Sequence, residues 1–460
     1  MKTGKYEIDM CNGSIMDKLI SFSVPLMLSS ILQLMFNAVD IIVVGRFSSS
    51  QALAAVGSTT ALINIFTNLF IGISMGANVL AARYFAAGQE KEMSESVHTA
   101  ITLALISGIL MVFVGVGASR FALELMATPG DVIDLSVTYM RIYFMGMPFF
   151  MLYNYGAAIL RAVGDTKRPL VFLIISGMAN VVLDLLLVIV IPLNVAGVAI
   201  GTVASQMISC ILVLRCLYRT EGSYQLRFSK LMIRGVYLKR IFQVGIPAGI
   251  QSTVINFSNA LLQSSVNSFG ATAMAGYTAA NNIIGFLYVS VNAVTQACMS
   301  FTSQNYSVGK TKRMDRVFLD CILLSAGAAA VLGVSAWAFG SHILRIYTAD
   351  AEVIRCGLEI LSITTVPYFL CGIMDLIPGA LRGMGHSAVP MILSVIGTVG
   401  TRILWIYVFF PQHRSLYFLF ISYPGSWVAT ILMQAVCFYF VRKQCVRQLQ
   451  AAGAERLAGG

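Results

Sequence analysis

Charged side chains are scarce in this sequence: Asp, Glu, Lys and Arg make up 11% of 460 residues. A soluble domain of this size needs a more charged surface. With 57% hydrophobic residues and a mean hydropathy of +0.80, the composition excludes a soluble class and describes a polytopic membrane protein. The nine cysteines contain no CxxC pair and no metal spacing, which excludes a disulfide framework and a zinc site. They fall within or beside apolar runs, as small fillers. His98, His342, His386 and His413 stand near span ends or loops, and no pair has catalytic or metal spacing. GMGHS and AVGDT lack the strand, Lys and Ser or Thr of a phosphate loop, so ATP hydrolysis is not expected. No cluster of His, Asp or Ser gathers at one interface, as a membrane enzyme acting on lipids would require. The chain therefore reads as no enzyme, and no cofactor is expected.

What is present is a succession of apolar runs. Spans are read near 19–44, 52–81, 96–118, 133–158, 169–191 and 195–217, then 241–266, 272–303, 317–338, 353–378, 388–410 and 416–440. Each crosses about 30 Å of hydrocarbon at about 1.5 Å per residue, with tilt. The first is too long for a signal h-region and lacks an A-x-A site, so it is expected to stay as a helix. This divides the chain into an amino-terminal six-helix bundle (1–217), a connector (218–240), a carboxyl-terminal six-helix bundle (241–440) and a tail (441–460), the tail expected to be loose.

The net charge of +11 does not point to nucleic acid, because the basic residues sit between apolar spans rather than in a stripe. Twelve spans put 24 of the 31 Lys and Arg on one side, including Lys2 and Lys5 of the polar lead, and five on the other. By the positive-inside rule both termini and the connector are expected in the cytoplasm. The halves also repeat. Pro25 falls on Pro247 and Asn37 on Asn259 at an offset of 222. YFAAGQEKEM matches NYSVGKTKRM, and LRAVGDTKRP matches LRGMGHSAVP, both at 221. Six spans per half make the repeat parallel, about an axis along the membrane normal.

Three acids lie well inside spans: Asp40, Asp184 and Asp375. A carboxylate at mid-helix costs roughly 2.5 to 3.5 kcal/mol, so each needs a partner or a task. Gln33, Asn37 and Asp40 share one helix face, as do Asn180 and Asp184. Asp40, Asn180 and Asp184 with the Thr202 hydroxyl make a hard-oxygen cage suited to sodium, and equally a carboxyl pair able to hold a proton. A buried hydrogen-bond network that fixes helix packing is the alternative. Asp375 and Arg402 are the odd charges of the second half, where an ion pair between neighbouring helices is the simplest account. Asn256, Asn259, Gln263, Asn281, Asn282, Asn292 and Gln296 give the seventh and eighth spans many amides, and no acid occurs between Lys239 and Ser303. A solute cavity is expected to draw on Gln33, Asn37, Asn154, Asn256, Asn259, Asn281, Asp375 and Arg402. The GxxxG spacings at Gly72 and Gly76, Gly197 and Gly201, and Gly245 and Gly249 point to close helix packing.

VPLMLSSILQLMFNAVDIIVVGRF, ALAAVGS, LRAVGDTKRP, NVVLDLLLV, GVAIGTVASQ and LRGMGHSAVP, in this order and spacing, resemble the multidrug and toxic compound extrusion (MATE) transporters, in particular their DinF-like prokaryotic branch. The resemblance covers residues 15 to 440. It implies an all-α polytopic fold of twelve transmembrane helices, two parallel-repeat six-helix bundles forming a V, in the plasma (inner) membrane of a prokaryote. It implies export of small organic cations or amphipathic compounds by proton- or sodium-coupled antiport through alternating access. The coupling residues of that branch match Asp40, Asn180, Asp184 and Thr202, which would also hold sodium, and a fourth-helix Tyr matches Tyr139. Asp375 is set against a tenth-helix acid of the family. The carboxylates that another large branch carries in its seventh and eighth helices are missing here. Beyond solutes and the lipid bilayer, no obligate protein partner is called for. The rival transport reading is a flippase or exporter of an amphipathic or lipid-linked metabolite, which would favour basic residues in the cavity, whereas most here lie in loops.

Overall fold

The computed structural model describes residues 6–126 and 128–458; Lys2 and Lys5 lie outside them. The regular structure of the described chain is all helical. The helices are α1 (Ile15–Phe47), α2 (Ser50–Ala86), α3 (Glu90–Leu125), α4 (Ile133–Met145), α5 (Met147–Ala162), α6 (Lys167–Leu185), α7 (Asn194–Arg219) and α8 (Gly235–Asn267). They continue as α9 (Ala271–Ser307), α10 (Thr311–Ala338), α11 (Gly340–Tyr347), α12 (Ala351–Thr364), α13 (Tyr368–Gly383), α14 (Ala388–Ser394), α15 (Thr401–Leu404), α16 (Leu416–Phe420) and α17 (Ser422–Ala458). Among the described residues, nine helical segments are long and apolar enough to cross a membrane, and eleven if two bent pairs each count as one.

The bent pairs are a departure from the sequence reading, which takes 133–158 and 353–378 as unbroken spans. Between α4 and α5 the axis turns by 46°, and between α12 and α13 by 50°. Each break sits at a proline, Pro148 and Pro367, which offers no N–H and crowds the preceding turn. The chain also differs at α8. It is helical over 33 residues, yet falls short of the apolar threshold, because Gln251, Asn256, Asn259 and Gln263 punctuate it. The tail is no loose segment. α17 runs on to Ala458, since Arg442 pairs with Asp315 at the start of α10 and Cys445 is buried beside Met314 and Leu381.

By contacts the chain divides into a first unit, residues 1–9 and 24–249, and a second, residues 10–23 and 250–460. In the first, α3 packs on α4 and α5, α5 on α2 and α7, and α6 on α7. Its interior holds Phe144, Met147, Met151 and Tyr155. Between helices in lipid the drive is close packing rather than hydrophobic exclusion, and two GxxxG motifs supply it. A Cβ at Gly72 would fall on the Gly249 backbone, and one at Gly245 on Ile73, so α2 and the first half of α8 meet backbone to backbone. The stretch after α7 is held to α3, where the Arg227 N–H donates to His98 Nε2 at 3.0 Å and Arg234 pairs with Glu95 at 3.3 Å.

In the second unit α9 packs against α10, α12 and α13, and α13 against α17. Met10–Gly13 belongs to it: Asn305 Nδ2 donates to the Met10 carbonyl at 3.1 Å and Arg313 Nη1 to that of Gly13 at 2.8 Å. The sequence repeat has a counterpart in the backbone. Gly88 and Gly309 both take positive φ, +67° and +73°, and so do Gly164 and Gly385, +93° and +90°. These are the glycines that the repeated segments align, each ending a helix in the left-handed conformation that glycine adopts without cost.

Replacing Gly72 by valine is expected to destabilise the protein by about 1 to 3 kcal/mol, because the added atoms meet main chain that cannot turn aside. Gly57, whose Cβ would meet nothing within 4 Å, is the control. Thermal melting in detergent checks the pair, with Gly57→Ala expected to melt as the parent does.

Candidate functional site

Asp40 lies on α1 and is 8% exposed, whereas Gln33 and Asn37, on the preceding turns, are exposed. Its carboxyl reaches that of Asp184 and the Thr202 hydroxyl. Asp184 lies at the end of α6 and is fully buried. The Asn180 side chain, one turn earlier, donates to Asp184 Oδ2 at 3.4 Å. α7 can come this close because of Gly201. A Cβ there would land on Asp184 Oδ1, so the missing side chain is the space the carboxyl occupies. Gly197 does the same against the Leu187 carbonyl, at 3.0 Å from a built Cβ. Immediately beyond Asp184 the helix widens into a π turn, Leu186–Val190, a form that recurs at functional positions.

Tyr139 and Tyr143 of α4 close the cluster. Their rings stack with centroids 6.2 Å apart, and both stand within electrostatic range of Asp40. The Gln206 amide reaches the Tyr143 oxygen. The structure thus gathers Asp40, Asn180, Asp184, Thr202 and Tyr139, and adds Tyr143 and Gln206, which sequence reasoning missed, and Gly201, which it read only as a close-packing glycine. The signal was there, since Tyr143 is one turn from Tyr139 and Gln206 one turn from Thr202, but i and i+4 spacing in an apolar span does not say which face looks at an acid.

The electrostatics of this cluster are one-sided. Among the described residues neither Asp40 nor Asp184 takes part in an ion pair. Asp40 Oδ1, Asp184 Oδ1 and Gln206 Oε1 are buried acceptors with no donor. A buried acceptor left unpaired costs about 1 to 3 kcal/mol, and more when it is charged. Two carboxyls at such close quarters cannot both stay ionised without a positive partner between them. A proton on one of them, or a desolvated monovalent cation held by these oxygens with those of Asn180 and Thr202, meets that requirement. Among the described residues no three His, Cys, Asp or Glu stand together as metal ligands.

The remaining cavity candidates are dispersed. Asn154 uses its amide on the Phe150 carbonyl of its own helix, at 2.8 Å, while Asn256 and Asn281 are exposed. Arg402 is 4% exposed. It donates to Asn259 Oδ1 at 2.8 Å and Ser426 Oγ at 3.3 Å, with its guanidinium 4.1 Å from the centre of the Tyr423 ring. The Asp375–Arg402 ion pair anticipated from sequence does not form. The cation acting on Asp375 is Arg382, seven residues on and therefore on the same face of α13, and Arg382 also donates to Gln251 at 2.6 Å. Arg402 follows a π turn, Val395–Gly400, and its partners lie instead on α8 and α17.

A profile of the MatE family matches residues 25–186 and again 247–408, displaced by the same 222 residues that bring Pro25 onto Pro247. The chain belongs to the MatE family. As a member it is a polytopic membrane protein and a secondary active efflux transporter that works by alternating access on small organic solutes, and it is not an enzyme. This MatE-family chain is similar to "Probable multidrug resistance protein YoeA" of Bacillus subtilis (strain 168), 28% identical over 93% of this chain and 95% of the relative. It is also similar to "Probable multidrug resistance protein YpnP" of the same organism, 26% identical over 84% and 87%. Its fold superposes on a structure described as the "Outward-facing conformation of a multidrug resistance MATE family transporter of the MOP superfamily", with a TM-score of 0.88 at 20% identity, over 98% of this chain and 100% of the other.

Gly201→Ala is expected to cost about 1 to 3 kcal/mol, because the new methyl displaces the Asp184 carboxyl. Combined with Asp184→Ala, which vacates that space, it is expected to cost less than the two single changes added together. Melting temperatures of the four proteins in detergent measure the coupling.

Proposed function

We propose that Asp40 and Asp184, with Asn180, Thr202 and Tyr139, form the ion-coupling site of a proton- or sodium-driven exporter of organic cations or other amphipathic compounds. The observation that carries this reading is the pair of facing buried carboxyls whose Oδ1 atoms receive no donor. When the site opens to the outside, an arriving proton or sodium ion neutralises the pair, the packing of the Pro25 helix changes and the solute leaves. When it opens inward, the ion departs and the restored negative charge favours a cationic amphiphile. An ion can shift such an equilibrium only by as much as its affinities for the two states differ. The carboxyls must therefore be differently surrounded in each.

The wider assignment follows the family. Twelve spans in two six-helix bundles, 1–217 and 241–440, are reached by counting both bent pairs and α8. The concentration of Lys and Arg on one side supports cytoplasmic termini, connector and tail in the plasma membrane of a prokaryote. The DinF-like branch is supported by Asp40, Asn180, Asp184 and Thr202 in the first half, and by the lack of acids in α8 and α9. Relatives named for multidrug resistance support a broad range of small organic substrates.

Asp40→Asn and Asp184→Asn are each expected to slow dye efflux from everted vesicles at least about tenfold, a loss of about 1.4 kcal/mol or more in coupling. Imposing sodium and pH gradients in turn identifies the driving ion. Undiminished gradient-driven efflux by a normally expressed Asp40→Asn protein removes the site from the mechanism.

A further inference from the structure

The start of α6 and the end of α7 enclose a cavity of about 450 Å³, some 13 residues and so roughly 20 Å along α7 from Thr202. Arg168, Arg215 and Arg219 line it, and Phe172 and Leu212 line its side toward the middle of the helices. The three cations are not equivalent. Arg168 is committed: it pairs with Asp165 and lies 5.2 Å over the Tyr6 ring. Arg215 and Arg219 stand one turn apart on the same face, are exposed, and enter none of the ion pairs among the described residues. Like charges at this spacing repel each other. Of the two acids at the rim, Glu7 accepts a hydrogen bond from the Tyr224 hydroxyl at 2.8 Å, and Glu221 lies beyond the end of α7. Glu7 and Glu221 offset part of the charge, so the positive face of the cavity is the Arg215 and Arg219 side of α7, and the lining turns apolar one turn deeper, the order of parts in a phospholipid standing in a leaflet. Guanidinium groups suit phosphate oxygens because their N–H donors match them in pairs, and basic pockets between membrane helices on the cytoplasmic side bind anionic headgroups.

We propose that this cavity holds an anionic phospholipid, its phosphodiester between Arg215 and Arg219 and the start of an acyl chain along Phe172 and Leu212. The proposal rests on the membrane-spanning fold and not on the carboxyl cluster, so a failure of one leaves the other standing. Native mass spectrometry of the full-length protein in detergent, with added phosphatidylglycerol or phosphatidylcholine, tests it. Phosphatidylglycerol is expected to be retained in preference to phosphatidylcholine. Arg215→Gln with Arg219→Gln is expected to lower that retention about fivefold or more and the double lysine variant by less, since it keeps the charge but not the paired donors, while Arg414→Gln, an exposed arginine of the second unit, keeps it. The lysine variant and elution as a single species on size exclusion separate lost charge from lost fold. Equal retention of the two lipids overturns the proposal, as does parental retention by the glutamine variant. So does thermal stabilisation by inorganic phosphate alone equal to that by phosphatidylglycerol, which would assign the arginines to free phosphate.

Discussion

Two buried carboxyl groups held close together, with no ion-pair partner among the described residues, set the terms for the first unit. Such an arrangement is costly, and ordinary packing would relieve it by turning one acid to water or by supplying an arginine. Here neither happens. Gly201 makes room for Asp184 against α7, the Asn180 amide fixes one of its oxygens, and the tyrosines of α4 stand close to Asp40. The polar groups around the carboxyls are mostly oxygens. On the proposed reading, a proton or sodium ion that comes and goes there can bias one packing of the helices over another.

The second unit treats its charges in the opposite way. Arg402 is surrounded by an amide, a hydroxyl and an aromatic face, and Arg382 shares its helix with Asp375 and reaches Gln251. These cations have partners on α8, α13 and α17 that tie those helices together, although Arg382 Nε itself finds no acceptor among the described residues. Two halves that descend from one repeat thus carry different electrostatics on similar backbones. The matching left-handed glycines after α2 and α9, and after α5 and α13, show how closely the backbone is kept. The acids of one half and the arginines of the other show how freely its interior is rewritten.

The membrane class, the internal repeat and the acids within spans were legible in the chain because each depends on local pattern. Apolar length sets a span, a repeated glycine sets a helix end, and an acid in hydrocarbon is conspicuous wherever it occurs. The same local reading anticipated unbroken fourth and tenth spans, although Pro148 and Pro367 were in plain view. A proline in lipid bends some helices and leaves others nearly straight, and neighbouring helices decide which. It also read the residues after Phe440 as loose, since small and charged residues carry no record of the docking of Arg442 onto Asp315.

The sequence alone determined that helices cross a membrane twice over in a related order, and that a few acids would be stranded among them, since both follow from composition and spacing along the chain. Which polar groups meet was decided only in three dimensions. Asp375 and Arg402 looked like partners and are not: Arg402 turns to Asn259, Ser426 and the Tyr423 ring, and the cation acting on Asp375 is Arg382. Tyr143 and Gln206 looked like ordinary residues of apolar spans and Gly201 like a packing glycine, and they meet the two carboxyls only because α4 and α7 bring them there. The angular phase of one helix against the next is fixed by packing between residues far apart in the chain, and no single helix carries that information.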